Sequence, residues 1–463
     1  MSATGTVDVR AVIDRNPLGR FQLAALFACL LCIVVDGLEV TVAGFLATQL
    51  KADWGVTTAQ LAPAVTSGLA GLGLGSFVAG PLGDRFGRRT VIAWSIAVFA
   101  AATLLTALTT GVLAFSLLRL VTGLGLGASM PNVAALVTET VPTRRRRTTV
   151  AIIWAGFPAG AAIGALAIPF VVAGAGWRTA IVLCGLVGVA ILVVVLVRLP
   201  ESPRFLANSG RDHERLVRFC TRIEPGSAHS GTVFARETTA RTRAYPIALL
   251  LKRPLRTGTL TLWLGYMAVM FTVYLTNTWL PYLFTAAGFS TGEISLLTTL
   301  LQVGGVIGCA VIGLLQERTG PHRTLVLTSI LGAAMALLIA VSPRSTLLLA
   351  VLIFVLGMCT NSISTGYTVI STTFYPTTIR STGTSWTAGM SRAGAVAGGG
   401  AGTALASIGL GFQQVFLLLL VPIAIGALCM VVKGRVYRDR VPVPHSPALL
   451  GDGPAPLTTT KEG

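Results

Sequence analysis

Twelve apolar runs, each about twenty residues long or longer, constrain the fold of this chain more than any other feature. They lie near residues 21–48, 58–82, 91–110, 113–138, 149–173, 178–198, 257–284, 294–315, 324–342, 346–372, 381–405 and 411–432. About 20 apolar residues in a helix cross the ~30 Å hydrocarbon core of a bilayer. The chain is 53% hydrophobic and only 11% charged, whereas soluble domains are about 25% charged. We therefore predict an all-α integral membrane protein with twelve transmembrane helices.

The runs divide the chain into five parts. Residues 1–20 form a polar N-terminus and residues 21–198 a first group of six spans. A charged central loop, 199–256, precedes a second group of six spans at 257–432. The tail, 433–463, is basic and then proline-rich, a composition that favours disorder.

The distribution of positive charge predicts the orientation. All but five of the 35 Lys and Arg residues fall on the side that holds both termini and the central loop. The exceptions are Lys51, Arg178 and Arg344 on the opposite side, and Arg119 and Arg392 inside spans. By the positive-inside rule, both termini are expected in the cytoplasm of a cell-membrane protein. This placement accounts for the net charge of +18 without nucleic-acid binding.

An internal repeat relates the two groups of spans. Residues 80–89 (GPLGDRFGRR) follow the second span, and residues 313–323 (GLLQERTGPHR) follow the eighth. Pro142 and Arg146 after the fourth span correspond to Pro376 and Arg380 after the tenth. Both landmarks give a shift of 233 or 234 residues. Two pseudo-symmetric six-helix halves with a site at their interface are typical of transporters.

Acidic residues at membrane depth are the candidates for proton coupling. Asp36 and Glu39 interrupt the first apolar run and are three residues apart, so they share one helix face. An acid at that depth costs roughly 2.5–3.5 kcal/mol on insertion scales, which marks it as functional. Glu139 lies near the cytoplasmic end of the fourth span, and the four histidines fall in loops or tails. We therefore expect Asp36 to be the principal proton site, with Glu39 assisting.

Two arginines inside spans are candidates for binding an anion. Arg392 in the eleventh span suits a carboxylate because its planar guanidinium can bind both oxygens. It can equally form a salt bridge to a membrane acid or extend to the interface. Arg119 in the fourth span is expected to pair with Asp36 or Glu39, with direct substrate contact as the alternative.

Aromatic and amide side chains in the second group of spans, together with one amide in the first, could complete a substrate site. The candidates are Tyr266, Asn277, Tyr367, Trp386 and Asn132. The sequence predicts neither a metal site nor a cofactor. The glycine-rich stretches 71–75, 123–127 and 156–164 lie inside apolar spans and predict close helix packing, because they lack nucleotide-loop spacing.

The loop at residues 80–89 resembles the G-x-x-x-D-R-x-G-R-R signature of the major facilitator superfamily. Within this superfamily, the aromatic acid:proton symporter family has a D-G-x-D motif in its first span. Asp36-Gly-Leu-Glu39 resembles this motif, with Glu in place of the second Asp. Residues 119–132, ending in Pro131-Asn132, resemble that family's fourth span. The resemblance covers nearly all of residues 15–435. It implies a gating role for charged residues on the cytoplasmic side, although they could also act only as topology anchors: Asp84, Arg85, Arg88, Arg146, Glu317, Arg318 and Arg380.

The resemblance implies proton-coupled import of a small aromatic carboxylate such as a hydroxybenzoate, by a monomer in contact with lipid and without nucleic acid. Another organic acid or a sugar as substrate, export, and a sensor that does not transport remain alternatives. An enzyme is not expected, because no set of catalytic residues occurs at membrane depth.

Overall fold

The computed structural model describes residues 6–210, 212–229, 231–235, 247–342, 345–375, 379–407 and 409–437. In this part of the chain the structure consists of helices α1 to α15 and two short 3₁₀ segments, with one isolated bridge between Val7 and Phe234 and no strand. The last helix continues into the predicted tail as far as Val436. Residues 438–463 of that tail and residues 376–378 lie outside the described residues.

Long helices correspond to the predicted spans. The first four crossings are α2 (Arg20–Trp54), α3 (Thr58–Phe86), α4 (Arg88–Thr106) and α5 (Val112–Thr140). The fifth and sixth are formed by α6 (Arg146–Trp154) and α7 (Gly156–Arg198) together. The last six are α10 (Arg256–Ala286), α11 (Thr291–Thr319), α12 (Pro321–Val341), α13 (Thr346–Phe374), α14 (Arg380–Ser407) and α15 (Phe412–Val436).

The count of twelve depends on α7 and α14. Among the described residues, ten helical stretches are long and apolar enough to cross a membrane. One of them, Thr148–Arg198, contains the whole of α7, and α14 is not among the ten. The 43 residues of α7 would extend about 65 Å, twice the hydrocarbon thickness. Gly176, with φ 79° and ψ 167°, breaks it into two crossings. The glycine-rich α14 packs against α10 and α3 and is the remaining crossing. The predicted fold class is confirmed.

Glycines set the spacing of the helices in the same way in both halves. A Cβ at any of these glycines would collide with a backbone carbonyl of the neighbouring helix, so the predicted close packing is confirmed. Each pair recurs 233 or 234 residues later. The matched pairs are Gly71 on Leu120 with Gly304 on Phe354, Gly123 on Gly68 with Gly357 on Leu301, and Gly160 on Val34 with Gly394 on Met267.

The halves meet through apolar side chains on the side opposite the termini. A buried cluster there combines Leu46 and Leu50 of α2 with Trp279 and Leu283 of α10. Gly44 lies so close to α10 that a Cβ would collide with the carbonyl of Thr278. Burial at about 25 cal/mol per Å² of apolar surface makes such a cluster a substantial barrier to opening. We call the side where α2 begins and α15 ends the termini side.

Three short helices on the termini side were not predicted. They are α1 (Val9–Arg15), α8 (Pro203–Ser209) and α9 (His213–Ile223), in segments expected to be polar loop. Apolar residues three and four apart give each helix one buried face, and these faces form a small core. Its buried members are Val9, Ile13, Leu206, Leu216, Phe219, Cys220 and Ala228.

Candidate functional site

The two acids of α2 face a small cavity at the interface between the halves. Asp36 and Glu39 line it together with Arg119 of α5 and Thr278 of α10. Asp36 is 0% exposed, and Glu39 and Arg119 are each 5% exposed. The cavity has a volume of about 30 Å³, which suits roughly two water molecules and excludes an aromatic ring in this conformation.

Glu39 and Arg119 form a buried ion pair. Nη1 of Arg119 donates to Oε1 of Glu39. A charge at this depth is tolerated when it is paired and hydrogen-bonded. Of the two predicted alternatives for Arg119, ion pairing and direct substrate contact, the geometry forms the first.

Asp36 is buried without a hydrogen bond. Neither carboxylate oxygen has a partner among the described residues. A buried carboxylate without a partner is costly in its charged form, so it must gain either a cation or a proton. The charged groups that act on it are Arg392 and Glu39. Asp36 can therefore be neutralised in two ways, by binding a proton or by the approach of the guanidinium group of Arg392.

Arg392 approaches this acid from the other half of the molecule. It extends from α14, donates to Oη of Tyr274 at 3.4 Å and points a second nitrogen at Sδ of Met130, 2.8 Å away. Both partners are neutral, so among the described residues the guanidinium has only uncharged acceptors. Such a guanidinium can take a carboxylate without first breaking a strong ion pair.

A second polar network lies on the termini side, around the loop between α3 and α4. Arg88 pairs with Asp84 at 2.7 Å, donates to Oδ1 of Asn132 at 3.3 Å and lies 3.9 Å from Glu139. Glu139 in turn accepts a hydrogen bond from Ser202 at 2.5 Å. The network ties α3, α4 and α5 to the segment that follows α7.

Comparisons with known proteins decide the family. The sequence model of the Major Facilitator Superfamily matches residues 29–264 and again 262–462. The chain belongs to this superfamily. It is 34% identical to the 4-hydroxybenzoate transporter PcaK of Pseudomonas putida over 432 residues, which cover 93% of this chain and 96% of that protein. It is 32% identical to a gallate transporter of the same organism, over 95% of this chain and 98% of the relative.

Two solved transporter structures share the fold. A bacterial homologue of the human lysosomal transporter Spinster, in an inward-facing conformation, aligns with a TM-score of 0.69 and 15% identity, covering 91% of this chain and 98% of that one. A D-xylose-proton symporter aligns with a TM-score of 0.67 and 16% identity, over 89% and 97%. Because the superfamily consists of transporters, the expectation that the chain is not an enzyme is confirmed.

Within the superfamily fold, the predicted substrate ligand Asn132 and the predicted proton-coupling acid Glu139 lie in the termini-side network. The amide of Asn132 donates to the carbonyls of Ala79 and Ala128 at 3.0 and 2.9 Å. Glu139 interacts with Arg88 and Ser202, as described above. Neither residue lines the cavity around Asp36.

The predicted aromatic residues lie within the second half. Tyr266 stacks on Tyr367 with ring centroids 5.6 Å apart. Their hydroxyl groups are engaged by Thr368 and by the carbonyl of Gly426, both at 2.8 Å. Trp386 is 42% exposed and lies 6.0 Å from the ring of Trp263. Asn277 is buried and accepts a hydrogen bond from Gln302 at 2.9 Å.

The remaining predicted charges are peripheral. Arg85 lies over the ring of Phe86, with 5.2 Å to its centroid, and Arg318 is exposed near the end of α11. Arg146 begins α6. The side chains of Glu317 and Arg380 lie outside the described part. The prediction that all four histidines lie in loops or tails is wrong for two of them, because His213 begins α9 and His322 lies in the first turn of α12.

Sequence reasoning missed Glu201. Its carboxylate accepts from the backbone N–H groups of Arg89 and Ser202 at 3.0 and 2.9 Å, at the start of α4. An acid there complements the positive end of the helix dipole. Gly87, at φ 97°, leaves room for it, since a Cβ would collide with the carboxylate. The sequence signal that could have indicated Glu201 was its position in the segment Pro200-Glu-Ser-Pro directly after the sixth span.

Proposed function

We propose that this protein imports a small aromatic carboxylate of the hydroxybenzoate class together with protons, by alternating access. The observation that carries the proposal is the interface site itself. It holds an unpartnered acid from one half, Asp36, and a weakly held arginine from the other, Arg392. The relatives named as 4-hydroxybenzoate and gallate transporters support the substrate class.

The charges of the site explain why substrate and proton would move together. With both acids ionised, Asp36 and Glu39 balance Arg119 and Arg392, so the formal charge is zero. An incoming carboxylate adds one negative charge in a region where net charge is expensive. A proton taken up by Asp36 restores neutrality. One anion with one proton is therefore the combination that the site favours.

Asp36 and the substrate would compete for the same guanidinium. Ionised Asp36 attracts Arg392 across the interface and draws the two halves together. Protonation of Asp36 releases Arg392, whose planar guanidinium can then bind both oxygens of the substrate carboxylate. Glu39 and Arg119 neutralise each other throughout and form the fixed wall of the site.

Alternating access would require the two sides to open in turn. On the opposite side, the cluster around Leu46, Leu50 and Trp279 must part to admit substrate. On the termini side, we propose that the network of Asp84, Arg88 and Glu139 stabilises one of the two states. For the peripheral residues Arg85, Arg146, Glu317, Arg318 and Arg380 a gating role also remains a proposal.

The domain division and orientation of the sequence prediction are retained as part of the proposal. Two halves, 21–198 and 257–432, would rock about the interface in the cell membrane, with both termini and the segment 199–256 in the cytoplasm. Tyr266, Tyr367, Trp386, Asn132 and Asn277 are retained as substrate-site candidates, and the protein is proposed to act as a monomer.

Uptake into proteoliposomes tests the proposal. The purified chain should accumulate radiolabelled 4-hydroxybenzoate when the lumen is alkaline, and this should collapse when a protonophore is added. Asp36→Asn should abolish accumulation but keep exchange of labelled for unlabelled substrate, because the neutral amide mimics the protonated acid. Accumulation by Asp36→Asn equal to the wild type would overturn the role of Asp36. Uptake of sugars in place of aromatic acids would overturn the substrate class.

A further inference from the structure

The amide pair Asn277–Gln302 is a polar feature of the interface that the coupling scheme does not use. Asn277 of α10 is 3% exposed and Gln302 of α11 is 2% exposed. Nε2 of Gln302 donates to Oδ1 of Asn277 at 2.9 Å. The other two polar atoms, Nδ2 of Asn277 and Oε1 of Gln302, are buried without a partner. Buried polar groups are normally satisfied, so two unsatisfied atoms in one pair require an explanation.

The pair leaves one donor and one acceptor unpartnered, whichever way its amides are oriented. If both amides are flipped, Asn277 donates to Gln302, and the unpartnered atoms become an oxygen of Asn277 and a nitrogen of Gln302. An amide carries both a donor and an acceptor group, so a pair joined by one hydrogen bond always retains one of each. A hydroxyl group is the complementary ligand, since it donates one hydrogen bond and accepts others.

The pair also lies beside the cavity, although neither amide lines it in this conformation. Thr278, the residue after Asn277, lines the cavity with Asp36 and Glu39. Gln302 is one helical turn from Gly305, where a Cβ would lie 3.2 Å from Pro158 of the first half. Both amides are therefore carried by helix segments at the interface between the halves.

The amide pair lies one helical turn from the residue that contacts Arg392. Asn277 follows Tyr274 by three residues on α10, a rise of about 4.5 Å on the same helix face. Tyr274 contacts Arg392, the proposed carboxylate ligand. A benzoate held by Arg392 would thus direct the far edge of its ring toward the amide pair.

We propose that Asn277 and Gln302 together recognise a hydroxyl group on the substrate ring, remote from its carboxylate. Gln302 is then a specificity-determining residue of the transport site. This inference rests on the proposed function, because it assumes an aromatic carboxylate in the same cavity. The pair favours hydroxylated benzoates over benzoate, since benzoate leaves both amide atoms unsatisfied.

The test compares kcat/KM for 4-hydroxybenzoate and benzoate in proteoliposomes. The wild type is expected to favour 4-hydroxybenzoate by about 5- to 150-fold, the factor that corresponds to leaving a buried hydrogen-bonding group unpaired. Asn277→Leu/Gln302→Met replaces both amides by apolar groups of similar size, and its ratio should fall toward one while benzoate uptake is retained. Retained uptake also shows that this variant folds.

Gln316→Met is the matched control. Gln316 is a buried glutamine on the same helix, 7% exposed and about 21 Å further along α11, so its removal should leave the ratio unchanged. Gln302→Met alone is a second variant in case the double variant is inactive, and it too should lower the ratio.

The possible outcomes separate the inference from the proposed function. A wild type that transports both acids equally well, an unchanged ratio in the amide variants, or an equal loss in Gln316→Met overturns the inference and leaves the function standing. A wild type that transports no aromatic acid overturns both.

Discussion

Removal of one member of the Glu39–Arg119 pair should destabilise the protein far more than removal of both. Both side chains are almost fully buried, with 6% of Arg119 and 7% of Glu39 exposed, so this pair is not comparable to a surface ion pair worth about 0–1 kcal/mol. Arg119→Met leaves a buried carboxylate without its cation, and such losses are about 3–5 kcal/mol. Glu39→Leu leaves a buried guanidinium and should cost a similar amount.

The double variant Glu39→Leu/Arg119→Met removes both charges at once. Replacing a buried ion pair by apolar residues is often neutral or stabilising. We therefore expect its stability to return close to that of the wild type, with a coupling free energy of about 6–10 kcal/mol in the double-mutant cycle, the sum of the two single losses.

Unfolding of the purified protein in mixed micelles of detergent and SDS, followed by tryptophan fluorescence, gives the required free energies. The same preparations, reconstituted in liposomes, give uptake. Single variants that each cost less than about 1 kcal/mol, in the range of exposed pairs, would show that the ion pair is not buried as described. Uptake by the double variant at the wild-type rate would show that the pair is dispensable.

Two further predictions concern the termini side. Gly87→Ala should lower stability by about 1–3 kcal/mol, the cost of a non-glycine residue at φ 97°, and thermal unfolding should show the loss even when Glu201→Ala relieves the collision. Hydrogen bonds from Thr143 and the charge of Arg10 outweigh the opposing effect of burial and lower the pKa of Asp14 below its usual value of 3.8. The stabilisation from Asp14 is therefore full above about pH 4 and is lost as the pH falls through the lowered value. Hydrogen exchange in α1 should stay slow at pH 7 and rise at pH 7 in Asp14→Asn, and exchange as slow as in the wild type would refute this contact.

The sequence predicted the spans because long apolar runs have few alternatives, and it failed where the signal was short. Helices α1 and α9 have only seven and eleven residues, and charged residues are interspersed among their apolar positions. Their helical structure depends on the core that they share, and residues of that core come from both the N-terminus and the central segment. A contact between such distant segments is not visible in either one.

The candidate site was predictable as a set of residue types but not as a set of partners. Spacing placed Asp36 and Glu39 on one face, yet only the rotation of α2 against α5 decides which acid meets Arg119. The pairing with Glu39 leaves Asp36 to face the other half. For the same reason, the sequence could not show that Asn132 on α5 accepts a hydrogen bond from Arg88 on the termini side.

The repeat preserves contacts even where it exchanges residues. In the first half, the side chain of Asn132 on α5 fills the space beside Gly83 of α3. In the second half, the equivalent positions are Gly366 and Gln316, and here the side chain of Gln316 on α11 fills the space beside the glycine of α13. The amide and the glycine have changed places across the same helix pair. The packing of the halves is therefore conserved as a contact, independently of which helix supplies the side chain.

The charges of the interface site do not follow this symmetry. At the equivalent positions of the other half, each ionisable residue is replaced by an uncharged one: Val269 for Asp36, Thr272 for Glu39, Ile353 for Arg119 and Pro158 for Arg392. A site with matching charges in both halves would repel itself when the halves approach, whereas acids on one side and a weakly held arginine on the other attract. Protonation of Asp36 or binding of a carboxylate to Arg392 changes this attraction directly. The symmetric packing thus allows the halves to rock, and the asymmetric charges make this motion depend on protonation of Asp36 and on binding of the substrate.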